Sequence, residues 1–357
     1  MSVNIIQFLL SSGVMLSWIF IPSLSKDLGA SNIQIGLIGA SYGVSVFLSS
    51  YIFGRASDML GRKVFINVGL GLCVVSFLIQ VFANDVLSLA VLRFVAGFTV
   101  GIATAPLIAY VFETGGRMGK LSSYGSLGWA LGNILAGIIA VYWQLFALSS
   151  LFFLIAFIMS LRLPRARAMR VKIPLFPREV IRRNLGVYIS YFLRNTGASS
   201  IWVIFPIFLT DIGASKFWIG VIYFLNSGSQ VVMMRFVDRF RDTHLISLGV
   251  LVSSIVFLSY SFATHYTQVI PLQLLLALSW SCLYVGSLMY MTERNIERAT
   301  SVGMLTSVIS ISGAFGPLLG GIISQLYGFR AVMYSAALLS FIGFIIALRN
   351  GRSQGSS

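Results

Sequence analysis

The chain has 357 residues, 57% of them hydrophobic and only 10% charged, with a mean hydropathy of +0.90. Soluble domains carry about 25% charged residues, so this composition excludes a water-soluble globule and makes lipid the solvent for most of the surface. The net charge of +15 would suit a nucleic-acid partner, but its distribution along the chain, described below, excludes that role.

A membrane-crossing helix needs about 20 apolar residues. Such runs lie at 4–24, 33–54, 64–83, 86–111, 119–142 and 145–163, and again at 185–209, 217–236, 244–263, 266–291, 300–325 and 329–348. The sequence therefore predicts an all-α membrane protein with twelve spans. The first run is long and lacks a basic start, so it is expected to be a retained span rather than a cleaved signal. Expected units are a six-helix bundle over 1–163, a basic linker over 164–184 containing three prolines, a second bundle over 185–350 and a short polar tail over 351–357.

The halves repeat. A shift of 184 positions superposes Phe8-Leu9 on Phe192-Leu193, Gly13 on Gly197, Trp18 on Trp202, Pro22 on Pro206, Asp27 on Asp211 and Gly29-Ala30-Ser31 on Gly213-Ala214-Ser215. The same shift recurs about a hundred residues later, where Gly132 meets Gly316 and Gly137-Ile138-Ile139 meets Gly321-Ile322-Ile323. Parallel repeats of this kind mark one large class of transporter architecture.

Charge fixes the expected topology. With the N-terminus in the cytoplasm, the loops near 55–63, 117–120, 162–183, 235–241 and 294–298 and the tail hold 20 of the 25 Lys and Arg. The opposite loops hold Lys26, Lys216 and Arg330. This positive-inside bias predicts a multi-pass protein of the cell membrane with both termini cytoplasmic. It also accounts for the net charge without nucleic acid. Cys73 and Cys282 lie in apolar runs and offer neither a disulfide framework nor metal spacing. His244 and His265 fall at span ends, and no carboxylate lies deep in a span, so neither a metal, a cofactor nor an enzymatic site is expected.

Several spans carry polar or small residues in patterns. Span one offers Gln7, Ser11 and Trp18, and span two offers Tyr42. Span four carries Arg93 followed by Gly97 and Gly101, on one helix face. Span seven carries Arg194, Asn195 and Trp202 on one face. Span eight offers Asn226 and Gln230, span ten Trp280 and Tyr284. The repeat mate of Arg194 is Leu10. Symmetric positions tend to be architecture and departures tend to serve a substrate, so Arg194 is the foremost candidate. Single Asn, Gln and Tyr residues equally serve as interhelical contacts.

The loop after span two reads Gly54-Arg55-Ala56-Ser57-Asp58-Met59-Leu60-Gly61-Arg62-Lys63. It resembles the signature loop of the major facilitator superfamily, with Met59 where that pattern has Arg. The resemblance implies two six-helix bundles, alternating access, and a central cavity lined by spans one, four, seven and ten with help from their neighbours. It further implies that Asp58 ties the bundles at the cytoplasmic face, near the start of span eleven, with Arg62 and Glu113 completing a charge pairing that favours the outward-open state. The second-half copy is degraded. Asp238-Arg239 keeps the residue pair about one turn off register, whereas Asp242 is the Asp in register. Arg93 with its glycines resembles a second pattern of the superfamily, linked there to proton coupling. Gly316-Pro317 in span eleven resembles a Gly-Pro pattern that the antiporter branch carries in span five, where this chain has Asn133.

The leading functional reading is a secondary transporter of a small organic solute, functional as a monomer, with protons or a counter-ion as possible partners. Two deep cations without deep carboxylates favour an organic anion or metabolite. The alternatives are a proton-coupled multidrug or metabolite exporter and, from another class, a transport-dead sensor or scaffold.

Overall fold

The computed structural model describes residues 2–115, 118–164, 178–237, 240–295 and 298–353. Among them there are helices and no strands. Span one is Ser2–Trp18 continued by Ile21–Asp27, span two Asn32–Leu60, span three Arg62–Leu78 with a 3-10 turn Ile79–Phe82, span four Val86–Glu113, span five Met118–Ile139 and span six Tyr142–Leu161. Span seven is Arg178–Trp202 continued by Phe205–Asp211, span eight Lys216–Val237, span nine Asp242–Tyr260, span ten Val269–Arg294 after a 3-10 turn Tyr266–Gln268, span eleven Arg298–Tyr327 and span twelve Phe329–Ser353.

Among the described residues ten helices are long and apolar enough to cross a membrane, and span seven joins them as a pair bent by 49°. Span five is the twelfth. Ser122, Ser123, Ser126 and Asn133 lower its hydropathy, and Ser126 and Asn133 are buried against protein.

The sequence repeat is a structural one. Spans one and seven break at equivalent places, after Trp18 and after Trp202, and each restarts with a proline, Pro22 or Pro206, in its first turn. Proline lacks the N–H that would continue the ladder, and its fixed φ suits a first turn. The turns that follow are closed by Gly29 at φ 83° and Gly213 at φ 90°, a region that L side chains rarely enter. Ser31 then starts span two with a capping box to Gln34.

Span seven begins at Arg178, inside the segment expected as linker. Val180 and Asn184 are buried there, and Asn184 exchanges hydrogen bonds with Asn295 at 2.9 and 3.1 Å. That pair anchors a helical turn whose basic residues made it read as loop. Residues 165–177 of the expected linker lie outside the described residues.

Each bundle has its own apolar core, one around Ile66, Leu70 and Phe153 and one around Tyr191, Val250 and Leu283. A third and larger core belongs to both bundles. It packs Phe20, Ile35 and Leu145 of the first with Ile204, Phe205 and Ile219 of the second. Between bundles, span two runs along span eleven and span five along span eight. Glycine makes these contacts close. A Cβ added to Gly36 would lie 2.5 Å from the Pro317 carbonyl oxygen, one at Gly43 2.6 Å from that of Gly313, and one at Gly137 2.8 Å from the Gly220 Cα.

These contacts seal the face away from the basic loops. Polar bridges reinforce the seal: Gln325 Oε1 accepts from the Asn32 N–H at 3.0 Å, and Lys216 Nζ donates to the Ala140 carbonyl at 3.3 Å while sitting 4.1 Å from the Tyr142 ring centroid. Tyr142 donates to Asp27 at 2.6 Å, and Lys26 lies 3.9 Å from Asp211. Toward the basic face a Cβ at Gly303 of span eleven would meet nothing within 4 Å, and the hydroxyls of Thr306, Ser307 and Ser310 donate to their own helix.

A candidate solute site between the bundles

A cavity of about 190 Å³ lies where the bundles meet. Met15, Trp18, Trp129 and Asn133 line it from the first bundle. Arg194, Asn195, Trp202, Tyr223, Asn226, Ser227, Gln230, Leu276 and Trp280 line it from the second. The wall is chiefly apolar and aromatic with a few polar groups, as in solute sites generally. It contains no Asp, Glu or His, and the described residues hold no cluster of three or more His, Cys, Asp or Glu that could bind a metal.

Arg194 is the one charge in the wall. Its side chain is 3% exposed. Nε donates to Ser253 Oγ at 2.8 Å, and the guanidinium carbon lies 5.1 Å from the Trp280 ring and 5.5 Å from the Phe257 ring. The terminal N–H groups have no acceptor among the described residues. Rings on the flanks and a hydroxyl behind leave the fork of the guanidinium for a partner from the cavity. Trp280 is held in turn by Tyr191 in an edge contact at 5.9 Å and by Tyr284 stacked at 5.8 Å.

Of the residues singled out in the sequence, the cavity gathers Arg194, Asn195, Trp202, Trp18, Asn226, Gln230 and Trp280. It does not gather the other five. Gln7 donates to Ser11 Oγ at 3.0 Å within span one. Tyr284 stacks on Trp280 and bonds to Ser122 of the first bundle. Arg93 is 1% exposed within the first bundle, donating to Ser17 Oγ at 3.3 Å and Gln80 Oε1 at 3.2 Å, with its charge 4.3 Å from the Tyr42 ring. Arg93 and Tyr42 thus satisfy each other inside the bundle rather than facing the cavity. Met15, Trp129, Tyr223, Ser227 and Leu276 were not singled out. Nothing about an isolated Met or Leu in an apolar helix marks it, although Trp129 and Tyr223 were accessible as aromatics one or two turns from polar neighbours. Asn133 was read only as a departure from a Gly-Pro pattern.

At the basic face Gly61, at φ 96°, turns the chain from span two into span three. Arg62 Nε and Nη2 donate to Glu113 Oε1 at 3.0 and 2.8 Å, and Nη1 donates to Ser57 Oγ at 2.6 Å and to the Gly54 carbonyl at 3.1 Å. Lys63 follows in the first turn of span three. The Asp58 side chain, Asp238 and Arg239 lie outside the described residues. Asp242, the in-register Asp, takes a bidentate pair from Arg294 at 2.9 and 3.1 Å. In span eleven Gly316 lets Thr196 and Ser199 of span seven approach, while Pro317 abuts span two.

The family model for the Major Facilitator Superfamily matches residues 3–184 and 187–355, and the chain belongs to that superfamily of secondary transporters. It is similar to the quinolone resistance protein NorA of Staphylococcus aureus (strain COL), 23% identical over 363 residues that cover 96% of this chain and 93% of NorA. The fold matches a crystal structure of the nucleoside transporter NupG with a TM-score of 0.80, at 12% identity and 98% coverage of both chains. It also matches the human organic anion transporter MFSD10 with a TM-score of 0.75, at 17% identity over 97% of this chain and 98% of that one. The chain is a multi-pass membrane protein that moves a small molecule by alternating access between two repeated bundles.

Proposed function

We propose that the solute is a small organic anion, and that Arg194 is its anchor. The observation that carries this reading is a buried guanidinium at the cavity wall whose terminal N–H groups have no acceptor, and which has no acidic neighbour in the wall, among the described residues. A buried charge without a counter-charge is costly, and an anionic ligand removes that cost on binding. Four tryptophans, Trp18, Trp129, Trp202 and Trp280, suit a ligand with an apolar or planar body.

The basic face is taken as cytoplasmic, so the state described here opens inward. The working unit is one chain in the cell membrane: a first bundle to residue 163, a second from 185 to 350, and the basic segment between. Cysteines introduced at Arg170 and Lys26 label from opposite sides of a sealed vesicle; labelling from one side refutes this orientation.

The decisive experiment is thermal stabilisation of the detergent-solubilised protein by a panel of organic anions, neutral solutes and lipophilic cations. A ligand that binds the native state raises apparent stability by mass action. Stabilisation confined to anions, and abolished in Arg194→Ala, is expected. A second reading, a proton-coupled drug or metabolite exporter, draws on the likeness to a quinolone resistance protein over almost the whole chain. Stabilisation by lipophilic cations, unaffected by Arg194→Ala, would put that reading first. For it, Glu113 beside Arg62 is a described proton-carrying candidate.

A further inference from the structure

The amides around the cavity are wired in one direction. Asn226 Nδ2 donates to the backbone carbonyl of Gln273 at 3.3 Å, and a carbonyl accepts only, so the orientation of the Asn226 amide is set. Its Oδ1 must then accept, and it does so from Gln230 Nε2 at 2.8 Å. That leaves Gln230 Oε1 buried without a partner. A second chain of bonds runs the same way across the bundle interface. Ser227 Oγ gives its proton to the Tyr223 carbonyl at 3.0 Å and accepts from Asn133 Nδ2 at 3.1 Å. Asn133 Oδ1 is left buried without a partner, and so is the Tyr223 hydroxyl. Asn226 Nδ2 and Gln230 Nε2 each give one N–H to protein, and the buried unpartnered atoms of the cavity residues are two amide oxygens, Gln230 Oε1 and Asn133 Oδ1, beside the Tyr223 hydroxyl.

Asn133, Tyr223 and Gln230 all line the cavity, and each is more than nine-tenths buried. Buried polar atoms in native proteins almost always have partners. Arg194 offers donors to the same cavity, and these two oxygens offer acceptors. We propose that the solute pairs its anionic group with a separate hydrogen-bond donor, as in a hydroxyl- or amino-substituted aromatic carboxylate, with Gln230 and Asn133 receiving the donor. This deepens, and rests on, the anion reading of the same cavity. It makes Gln230 and Asn133 specificity residues that distinguish a donor-bearing anion from an equally large anion lacking one. A site built to accept a hydrogen bond rejects the analogue that cannot give it, because its own oxygens then stay unpaired.

The test uses matched probes on the full-length protein, with affinity read from ligand-dependent thermal stabilisation. The anionic set is benzoate, hydroxybenzoate and methoxybenzoate, the last two as meta and para isomers. The neutral set is methyl benzoate and methyl hydroxybenzoate. At least one hydroxybenzoate isomer should bind about five- to tenfold more tightly than benzoate and than its methoxy counterpart, the size of one hydrogen bond to a neutral group. Gln230→Met keeps length and apolar packing but removes the whole amide, so the ratio of hydroxybenzoate to benzoate affinity should fall toward one. Equal binding of hydroxy and methoxy probes, or a preference that survives both Gln230→Met and Asn133→Leu, overturns the proposal and leaves the anion reading intact. A hydroxyl preference that persists in the neutral esters, with no gain from the carboxylate, supports the donor subsite and sinks the anion reading. Failure of every probe to bind overturns both.

Discussion

Among the described residues the two bundles each bury a deep arginine and each hold an ion pair at the basic end, yet they do so in opposite ways. In the first bundle Arg93 is satisfied by Ser17, Gln80 and the Tyr42 face. In the second, Arg194 bonds, among the described residues, to Ser253 alone and lines the cavity. The ion pairs differ in a related manner. Arg62 starts span three and Glu113 ends span four; Asp242 starts span nine and Arg294 ends span ten. The same helix pair is clamped in each half, with the charges exchanged. A cation at a helix start and an acid at a helix end oppose the helix dipoles, whereas an acid at the start and a cation at the end are favoured by them. The first clamp therefore depends on its own pairing, and the second is supported by its helices. The repeat dictates where helices pack. It leaves charge free to diverge, and most of the cavity wall, with its one arginine, comes from the second bundle.

The clamps give the largest expected effect. Glu113→Gln removes the carboxylate that faces Arg62, whose side chain is 9% exposed, at a helix start. Removing one partner of a buried pair costs about 3–5 kcal/mol, and the variant should melt well below the parent in detergent. Asp242→Asn should cost only about 1 kcal/mol, because the Arg294 side chain is 35% exposed and reaches water. Equal losses would show that helix polarity does not distinguish the clamps. Next comes Arg194→Ala, expected to weaken binding of an organic anion about 100-fold, as loss of a desolvated charge-assisted contact does, while the melting temperature without ligand changes little. Unchanged anion affinity would return Arg194 to a structural role.

The interface supplies the third. Gly36→Val drives a side chain against the Pro317 carbonyl, 2.5 Å from the new Cβ. Overpacking costs about 1–3 kcal/mol, here charged only to the state sealed at that face. The equilibrium should move about five- to hundredfold toward the state open there. The measure is access of a thiol reagent, from the side opposite the basic loops, to a cysteine placed at Leu276. No gain in access would mean that span two does not seal against span eleven in the cycle.

Much of this architecture was legible in the chain, for physical reasons. Lipid demands long apolar helices, so composition alone located the spans. Pro22 and Pro206 with Gly29 and Gly213 leave sequence marks because each performs a backbone task no other residue does as well. Arg194, whose repeat mate is Leu10, pointed to the cavity because charge in lipid must face protein or water. The start of span seven was hidden because its basic first turn looks like loop, while its anchor, Asn184 to Asn295, spans residues far apart in sequence. Asn133 was hidden for the same reason: its partner Ser227 lies in the other bundle. Periodicity reveals which residues share a face, but it does not reveal which faces meet. Tyr42 shows the cost of that gap. It occupies the position equivalent to Asn226, yet Asn226 reaches the cavity and Tyr42 lies against Arg93.

Arg93 provides the sharpest test of the contrast between bundles, with the smallest expected effect on binding. Composition treats Arg93 and Arg194 alike, as two deep cations that favour an anion. Geometry separates them, because Arg93 is 1% exposed, absent from the cavity wall and already bonded to two side-chain oxygens. Arg93→Met keeps an unbranched apolar stem of similar reach and removes the charge. Ser17 and Gln80 lose a donor, so some stability should be lost, but anion affinity measured on the folded protein should change less than about twofold, since distant sites without shared partners act independently. If Arg93→Met instead weakens anion binding as strongly as Arg194→Ala, the long-range field of both arginines sets the affinity. The difference in how each bundle satisfies its arginine would then be a matter of packing alone.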